Sequence, residues 1–132
     1  MSDHFEARND SPAIKRATRA FVDQFLAEAL PAMQLAARGC GYALAVHGSL
    51  ARDIDLIAVP WTANTDTPAL LVQRLCGALS ALVGRAINLR GDDWIKKPHG
   101  RQALTIILPG VCPEIDLSIM PCLTSSEPED SQ

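Results

Sequence analysis

The sequence DIDLIAVP at residues 53–60 is echoed by EIDLSIMP at residues 114–121, and these two stretches decide the fold. Each begins with an acidic residue, isoleucine, a second acidic residue and leucine, and each ends at a proline. Alternation of polar and apolar residues with a period of two is typical of a strand that is half-buried. Residues two apart in a strand point to the same face, about 6.6 Å apart. Two strands that each present acidic side chains on one face are therefore predicted.

Two helices are predicted from a shared capping signal, in which serine or threonine precedes a proline at the first helical position. Ser11-Pro12 begins a helix expected to extend to Arg38, with Pro31 kinking or splitting it. Thr67-Pro68 begins a second helix that ends at Gly84. Its apolar stripe has i+4 spacing and consists of Leu71, Leu75, Leu79 and Leu82.

Three further stretches are short and apolar enough to form strands: residues 42–47, 87–89 and 103–108. The element order is then α-β-β-α-β-β-β. It predicts an α/β (α+β) domain whose mixed sheet of about four to five strands is packed by two main helices. The domain is expected to span residues 11–122, between a flexible tail at residues 1–10 and a flexible acidic tail at residues 123–132.

Composition excludes several classes of protein. The 132 residues are 48% hydrophobic and 20% charged, which is too apolar for a disordered chain and lacks the glycine content of collagen. The net charge of −3 hides an uneven distribution, because both ends are acidic and the body between them carries +2. This distribution is a weak indication of an anionic partner. With no secretion signal and no apolar stretch of about 18 residues, a cytoplasmic location is predicted.

The four cysteines are Cys40, Cys76, Cys112 and Cys122, and none is spaced for zinc binding. In a reducing compartment such residues are usually small buried apolar side chains, which is the prediction for all four. A disulfide framework is the alternative.

Asp53, Asp55 and Asp116 are the candidate catalytic and metal-binding residues. If their two strands are neighbours, about 4.8 Å apart, the three carboxylates meet at one edge of the sheet and repel each other unless a cation lies among them. Carboxylate oxygens suit Mg²⁺ or Mn²⁺, and two such ions can hold the oxygens of a phosphoryl transfer. The alternative is that these acids simply begin strands that emerge from solvated loops.

Gly48-Ser49 directly follows the apolar stretch at residues 42–47. A Gly-Ser turn presents backbone N–H groups and a hydroxyl that can bind phosphate without steric obstruction. Such turns are common, so Gly48-Ser49 alone is weak evidence of phosphate binding. The acidic pair that follows it makes that prediction stronger.

Together the sequence from Ala45 to Ser49, the Asp53-Ile54-Asp55 pair and the later Asp116 resemble the core motif of the nucleotidyltransferase superfamily. That superfamily includes DNA polymerase beta and the minimal antitoxin-type transferases. The resemblance implies that Gly48 and Ser49 bind nucleotide phosphates and that all three acids serve Mg²⁺ or Mn²⁺, with Asp116 placed to activate an attacking hydroxyl. The chain is also similar to small stand-alone transferase-like proteins encoded by bacteriophages.

One difference from the family motif lies between the turn and the acids. Family members have a short helix there, whereas this chain has only Leu50, Ala51 and Arg52. Three residues do not complete a helical turn, so the helix N-terminus that would face the phosphates is missing or replaced. A compact variant that binds without catalysis is therefore the alternative to an enzyme.

A second cluster of candidate phosphate-binding residues lies on a loop punctuated by glycine and proline. The predicted phosphate ligands of this loop are Lys96, Lys97, His99 and Arg101, and Arg90 and Trp94 lie nearby. Arg52, which lies outside the loop, is a further predicted phosphate ligand. Cations beside an aromatic ring can hold phosphate and stack on a base. The alternative is a solvated loop partly neutralised by Asp92 and Asp93. His47 is predicted to form a hydrogen bond near the turn rather than to bind a metal ion. Trp61, at the end of the acid-bearing strand, is predicted to pack at the rim.

The resemblance implies transfer of a nucleoside monophosphate from an NTP to a hydroxyl of a small molecule, protein or nucleic acid. The alternative function is a catalytically inactive regulatory module that contacts protein or nucleic acid through the basic loop. Because the chain lacks the helical domain with which larger transferases hold the acceptor, a homo-oligomer or a partner chain is expected.

Overall fold

The computed structural model describes residues 11–48, 53–89, 95–96, 98–109 and 114–122. Helix α1 spans Pro12–Gly39 and helix α2 spans Pro68–Val83. The strands are β1 Tyr42–Val46, β2 Ile54–Pro60, β3 Asn88–Leu89, β4 Ile95–Lys96, β5 Gln102–Ile107 and β6 Ile115–Ile119. A short 3₁₀ helix at Pro98–Gly100 precedes β5. Strand β4 and the 3₁₀ helix are additions to the predicted element order.

The strands form one mixed sheet in the order β1-β2-β6-β5-β3, with β4 also paired to β5. Strands β2 and β6, which carry the echoed sequences, are adjacent and parallel. The other pairs, β1 with β2, β5 with β6, and β3 and β4 with β5, are antiparallel. The predicted α+β fold, with a mixed sheet packed by two helices, is confirmed.

Both helices begin as their capping signals predict. The hydroxyl of Ser11 accepts a hydrogen bond from the amide of Ile14 at 3.2 Å, and that of Thr67 accepts one from the amide of Leu70 at 3.2 Å. Helix α1 continues unbroken through Pro31, so a split at that residue was a wrong alternative. Pro31 is exposed, as is Ala27 one turn earlier, which leaves the carbonyl freed by proline accessible to solvent.

The core lies between the helices and one face of the sheet. Alternate residues of β2 and β6 are buried on this face, among them Leu56 at 1% exposure and Leu117 at 1%. They pack with α1 and α2 in a single hydrophobic cluster. The residues between them are half-buried or exposed, so within the described ranges no helix covers the other face of the sheet. We call this the open face.

The cysteine prediction holds only in part. Cys40 is buried, whereas Cys76 and Cys122 are half-buried, and Cys112 lies outside the described residues. Cys122 lies three residues after β6, outside the sheet, and its thiol donates a hydrogen bond of 3.8 Å to the carbonyl oxygen of Thr62 rather than packing in the core. Neither described helix has the combination of length and hydropathy that a membrane crossing requires.

Candidate functional site

Four polar residues form one row across the open face. Asp55 on β2 is directly opposite Asp116 on β6, and Asp116 is opposite Thr105 on β5. His47 follows β1 and donates its backbone N–H to the carbonyl of Asp55 at 2.8 Å, which extends the antiparallel ladder by one step. We call His47, Asp55, Asp116 and Thr105 the polar row.

The row exists because the acids occupy equivalent positions in two parallel strands. Asp55 follows the buried Ile54, and Asp116 follows the buried Ile115, with which Ile54 is paired. Once the isoleucines are fixed in the core, strand alternation directs both carboxylates to the open face. Their strands are hydrogen-bonded neighbours, so the two acids lie about 4.8 Å apart at the backbone. Two of the three acids singled out from the sequence are thus brought together.

Asp55 is the electrostatically perturbed member of the pair. Burial raises its pKa above the ordinary value of 3.8, and the neighbouring charge of Asp116 and a hydrogen bond between the two carboxyls raise it further. The charge of His47 acts in the opposite direction and lowers the pKa of Asp55. The pair therefore resists full ionisation, which is the condition that a bound cation relieves.

Thr105 holds Asp116 from the other side. Its hydroxyl donates a hydrogen bond of 3.0 Å to Oδ1 of Asp116, and its strand position points it to the open face. This bond restrains the orientation of the Asp116 carboxylate. Thr105 is not among the residues predicted from the sequence, although it is the polar residue within the otherwise apolar stretch at residues 103–108.

Gly48 lies directly against the acid pair. Its φ is +89°, a conformation that residues with a side chain rarely adopt, and a Cβ built on it would lie 2.6 Å from Oδ2 of Asp55. Glycine is therefore required by both the backbone and the close approach. Of the turn predicted to bind phosphate, Gly48 lies beside Asp55, while Ser49 and the predicted ligand Arg52 lie outside the described residues.

Asp53 immediately precedes β2 and is half-buried. Within the described residues, no group of three or more His, Cys, Asp and Glu side chains is placed to hold a metal ion. The paired acids Asp55 and Asp116 are thus established as neighbours, and the inclusion of Asp53 stays a prediction.

The predicted basic cluster is described only in part. Nη1 of Arg101 donates a hydrogen bond of 2.8 Å to the hydroxyl of Ser118, which lies on the open face two residues after Asp116. His99 is exposed, with a φ of +66°. Lys97, Arg90 and Trp94 lie outside the described residues, and only the backbone of Lys96 is described. Arg101 is thus the predicted phosphate ligand that the structure brings to the face of the acid pair.

Two pockets lie at the opposite end of the strands from the acid pair. One, of about 430 Å³, is lined by Arg38, Gln34 and Trp61 beside the start of β1. Trp61 is 62% exposed, which fits the rim position predicted for it. The other, of about 310 Å³, lies where β6 ends and α2 begins, and includes Asp66 and Cys122.

No protein-family model matches the chain, and a search of curated proteins finds no significant match. Function must therefore be inferred from the chemistry of the polar row and the residues around it.

Proposed function

We propose that the protein binds a divalent cation and an NTP at the polar row, as a nucleotidyltransferase that moves a nucleoside monophosphate to a hydroxyl acceptor. One observation carries the proposal. Asp55 and Asp116 are paired in register on adjacent parallel strands, on the face that no described helix covers, with Gly48 packed against the carboxylate of Asp55. The resemblance of these positions to the nucleotidyltransferase motif supports the assignment.

The donor set fits Mg²⁺ or Mn²⁺. Two half-buried carboxylates are hard oxygen ligands. The pKa of Asp55 is raised first by burial and then by the charge of Asp116, and a bound cation would favour the ionised form against both effects. Asp53, one residue before β2, is the proposed third ligand. When bound, the cation would neutralise negative charge on the phosphates.

The chain's own groups have distinct tasks in this proposal. The Gly48 turn lets phosphate approach the sheet closely, together with Ser49 and Arg52. Thr105 restrains the carboxylate of Asp116 by its hydrogen bond to Oδ1, and this carboxylate would accept a proton from the attacking hydroxyl. Lys96, Lys97, His99 and Arg101 provide positive charge for the phosphates.

The remaining assignments belong to the same proposal. The acceptor is a small molecule, a protein or a nucleic acid, and a second copy or a partner chain helps to hold it. A cytoplasmic location supplies both NTP and Mg²⁺.

Mn²⁺ binding tests the cation site. Free Mn²⁺ is measured by electron paramagnetic resonance in titrations of the wild type, Asp55→Asn and Asp116→Asn, with and without a non-hydrolysable ATP analogue. Each substitution removes a ligand charge while keeping the shape, so the affinity for Mn²⁺ should fall by at least tenfold. Asp23→Asn is the matched control, because Asp23 lies on the exposed side of α1 in an ion pair with Arg19. Unchanged binding by Asp55→Asn contradicts the proposal.

The second candidate function is a binding module of the same fold without turnover. The three-residue linker of Leu50, Ala51 and Arg52 favours it, since no helix N-terminus can form there to face the phosphates. Release of pyrophosphate from the four common NTPs, with Mg²⁺ and with Mn²⁺ and with a polyol, a protein and an RNA each supplied as the hydroxyl acceptor, separates the candidates. Cation-dependent release that Asp116→Asn abolishes supports the transferase, whereas cation binding without release supports the module.

A further inference from the structure

Strand β1 ends the strand order of the sheet, and half of its backbone groups point away from β2. The amide of His47 donates to the carbonyl of Asp55 at 2.8 Å, which makes these two residues a hydrogen-bonded pair. At the other end of the ladder, the amide of Trp61 donates to the carbonyl of Gly41 at 3.0 Å. Because such pairs alternate with non-hydrogen-bonded ones, every second residue between them directs its N–H and C=O outward. The outward residues are Tyr42, Leu44 and Val46.

Helix α1 lies along this outer edge. Nε2 of Gln34 donates a hydrogen bond of 3.1 Å to the carbonyl of Leu44, which is one of the outward groups. Residues three, four, seven and fourteen positions from Gln34 lie on the same side of the helix. They are exposed and mostly small: Ala20, Ala27, Pro31 and Arg38. The edge is therefore flanked by a helix surface that a second helix can approach closely.

Strand β1 lacks the features that protect an edge strand from pairing. Its five residues, Tyr42–Val46, include no charge and no proline, and its register with β2 is continuous. The strands at the other side of the sheet, β3 and β4, have only two residues each. Beside β1 on the open face, Val59 and Trp61 are 42% and 62% exposed. A regular, uncharged edge next to exposed apolar side chains is a template for another strand.

A second copy of this chain matches the edge by symmetry. When two β1 strands run antiparallel about a two-fold axis at Leu44, the two Leu44 residues face each other and Tyr42 faces Val46 of the second copy. Every outward N–H then meets an outward C=O. The carbonyl oxygen of Leu44 has a second lone pair for this bond, beside the one that Gln34 uses. The same axis places the two α1 helices antiparallel, with Ala27 and Pro31 on the surfaces that meet.

The distribution of charge favours this antiparallel arrangement. Arg38 lies beside the start of β1, in the pocket of about 430 Å³, and no acidic residue lines that pocket. Asp55 and Asp116 lie at the opposite end of the strands, where β1 ends. Antiparallel pairing therefore brings the basic end of each edge toward the acidic end of the other copy. Opposite charge at both ends of an interface sets its orientation.

We propose that β1 is a dimer interface, through which two copies join antiparallel about an axis at Leu44 to form one continuous sheet. The interface is isologous, because each copy contributes the same strand and the same side of α1. It stands on the edge geometry alone and is independent of the cation site and of the chemistry proposed for the polar row.

Sedimentation equilibrium up to near-millimolar concentration, combined with charged variants of β1, tests the interface. Ala43 and Ala45 are exposed on the open face, and the proposed axis places Ala43 opposite Ala45 of the second copy. The wild type should be a dimer. The double variant Ala43→Lys/Ala45→Lys should weaken dimerisation by about tenfold or more, because like charges then face each other twice. Ala43→Glu/Ala45→Glu should show the same loss, and mixing the two double variants should restore a dimer.

The control has the same change of charge elsewhere. Ala69→Lys/Ala81→Lys lies on the exposed surface of α2 and should dimerise like the wild type. Recovery on mixing also excludes misfolding of the variants as the cause of the loss. A monomeric wild type, a dimer that tolerates the double lysine variant, or a failure to recover on mixing overturns the proposal.

Amide hydrogen exchange of the wild type gives an independent measure with residue resolution. The amides of Tyr42, Leu44 and Val46 should exchange more slowly as the concentration rises, because the second copy then supplies their acceptors. The amides of Ala43 and Ala45 point to β2 and should be protected at every concentration. Protection of the three outward amides that does not change with concentration would mean that a segment of the same chain covers the edge, and it overturns the proposal.

Discussion

The two faces of the sheet are formed by the same strands but have different roles. On the covered face, Ile54, Leu56 and Leu117 are 0–1% exposed and pack with the helices. On the open face, Asp55, Asp116 and Thr105 are half-buried and interact through charge and hydrogen bonds. Because adjacent residues point to opposite faces, a single strand carries both the stability of the fold and the candidate chemistry. Substitutions one residue apart should therefore separate the two.

Leu117 and Ser118 give the largest contrast. Leu117→Ala removes a fully buried side chain and should lower the free energy of unfolding by about 2–5 kcal/mol. Ser118→Ala, on the open face of the same strand, loses one hydrogen bond to Arg101 and should cost about 1 kcal/mol or less. Urea denaturation followed by circular dichroism measures both. Equal costs for the two variants would show that the open face is covered in solution.

Replacing two glycines by alanine compares the edge of the open face, at Gly48, with the interior of helix α2, at Gly77. Gly48→Ala forces a side chain into a φ of +89° and against Oδ2 of Asp55, and should destabilise the protein by about 1–3 kcal/mol. Gly77 lies inside α2, where an added Cβ meets nothing within 4 Å. Gly77→Ala should instead stabilise the protein by about 1 kcal/mol, since alanine has the higher helix propensity. Thermal denaturation of both variants checks the opposite signs.

A stabilising or neutral effect of Gly48→Ala would mean that the turn is free to move away from Asp55. Its proposed role of bringing phosphate close to the acid pair would then lose its structural support.

The covered face could be predicted from sequence because it depends on local rules. Proline after Ser11 and Thr67 marks both helix starts, and the alternation in residues 53–60 and 114–121 identifies the strands. The spacing of Asp55 and Asp116 within their echoed sequences even determined which face they share. What alternation does not give is strand order, so their adjacency was an assumption until β2 and β6 were found to be parallel neighbours.

The rest of the open face depends on contacts between strands that are far apart in sequence. Thr105 reaches Asp116 because β5 is antiparallel to β6, and the register that pairs them has no local signature. Arg101 was predicted from the charge of its loop, yet its hydrogen bond to Ser118 follows only from that same register. The same holds for β4, whose two residues pair with β5 and have no strand-like pattern of their own. Tertiary pairing, rather than propensity, completes the site.

The smallest predicted effect concerns the carboxylate pair itself. In the folded protein the pKa of Asp55 is raised above its ordinary value of 3.8. Between pH 3.8 and that raised pKa, the folded state therefore retains a proton that the unfolded state has released. Stability of the wild type should therefore fall as the pH rises from 3.8 through the raised pKa, and stay level above it. Asp55→Asn removes this dependence.

The variant should consequently be more stable than the wild type at pH 7, by less than about 1 kcal/mol because solvent screens a half-exposed pair. At pH 3, where the Asp55 carboxyl is protonated in both states, the difference between the two proteins should vanish. Urea denaturation at several pH values, without divalent cations, measures this difference. Adding Mg²⁺ should stabilise the wild type more than Asp55→Asn, since only the wild type has both acids to bind the cation. A difference that is constant from pH 3 to pH 7 would show that neither burial nor the charge of Asp116 raises the pKa of Asp55, and that the row is merely a set of neighbouring polar residues.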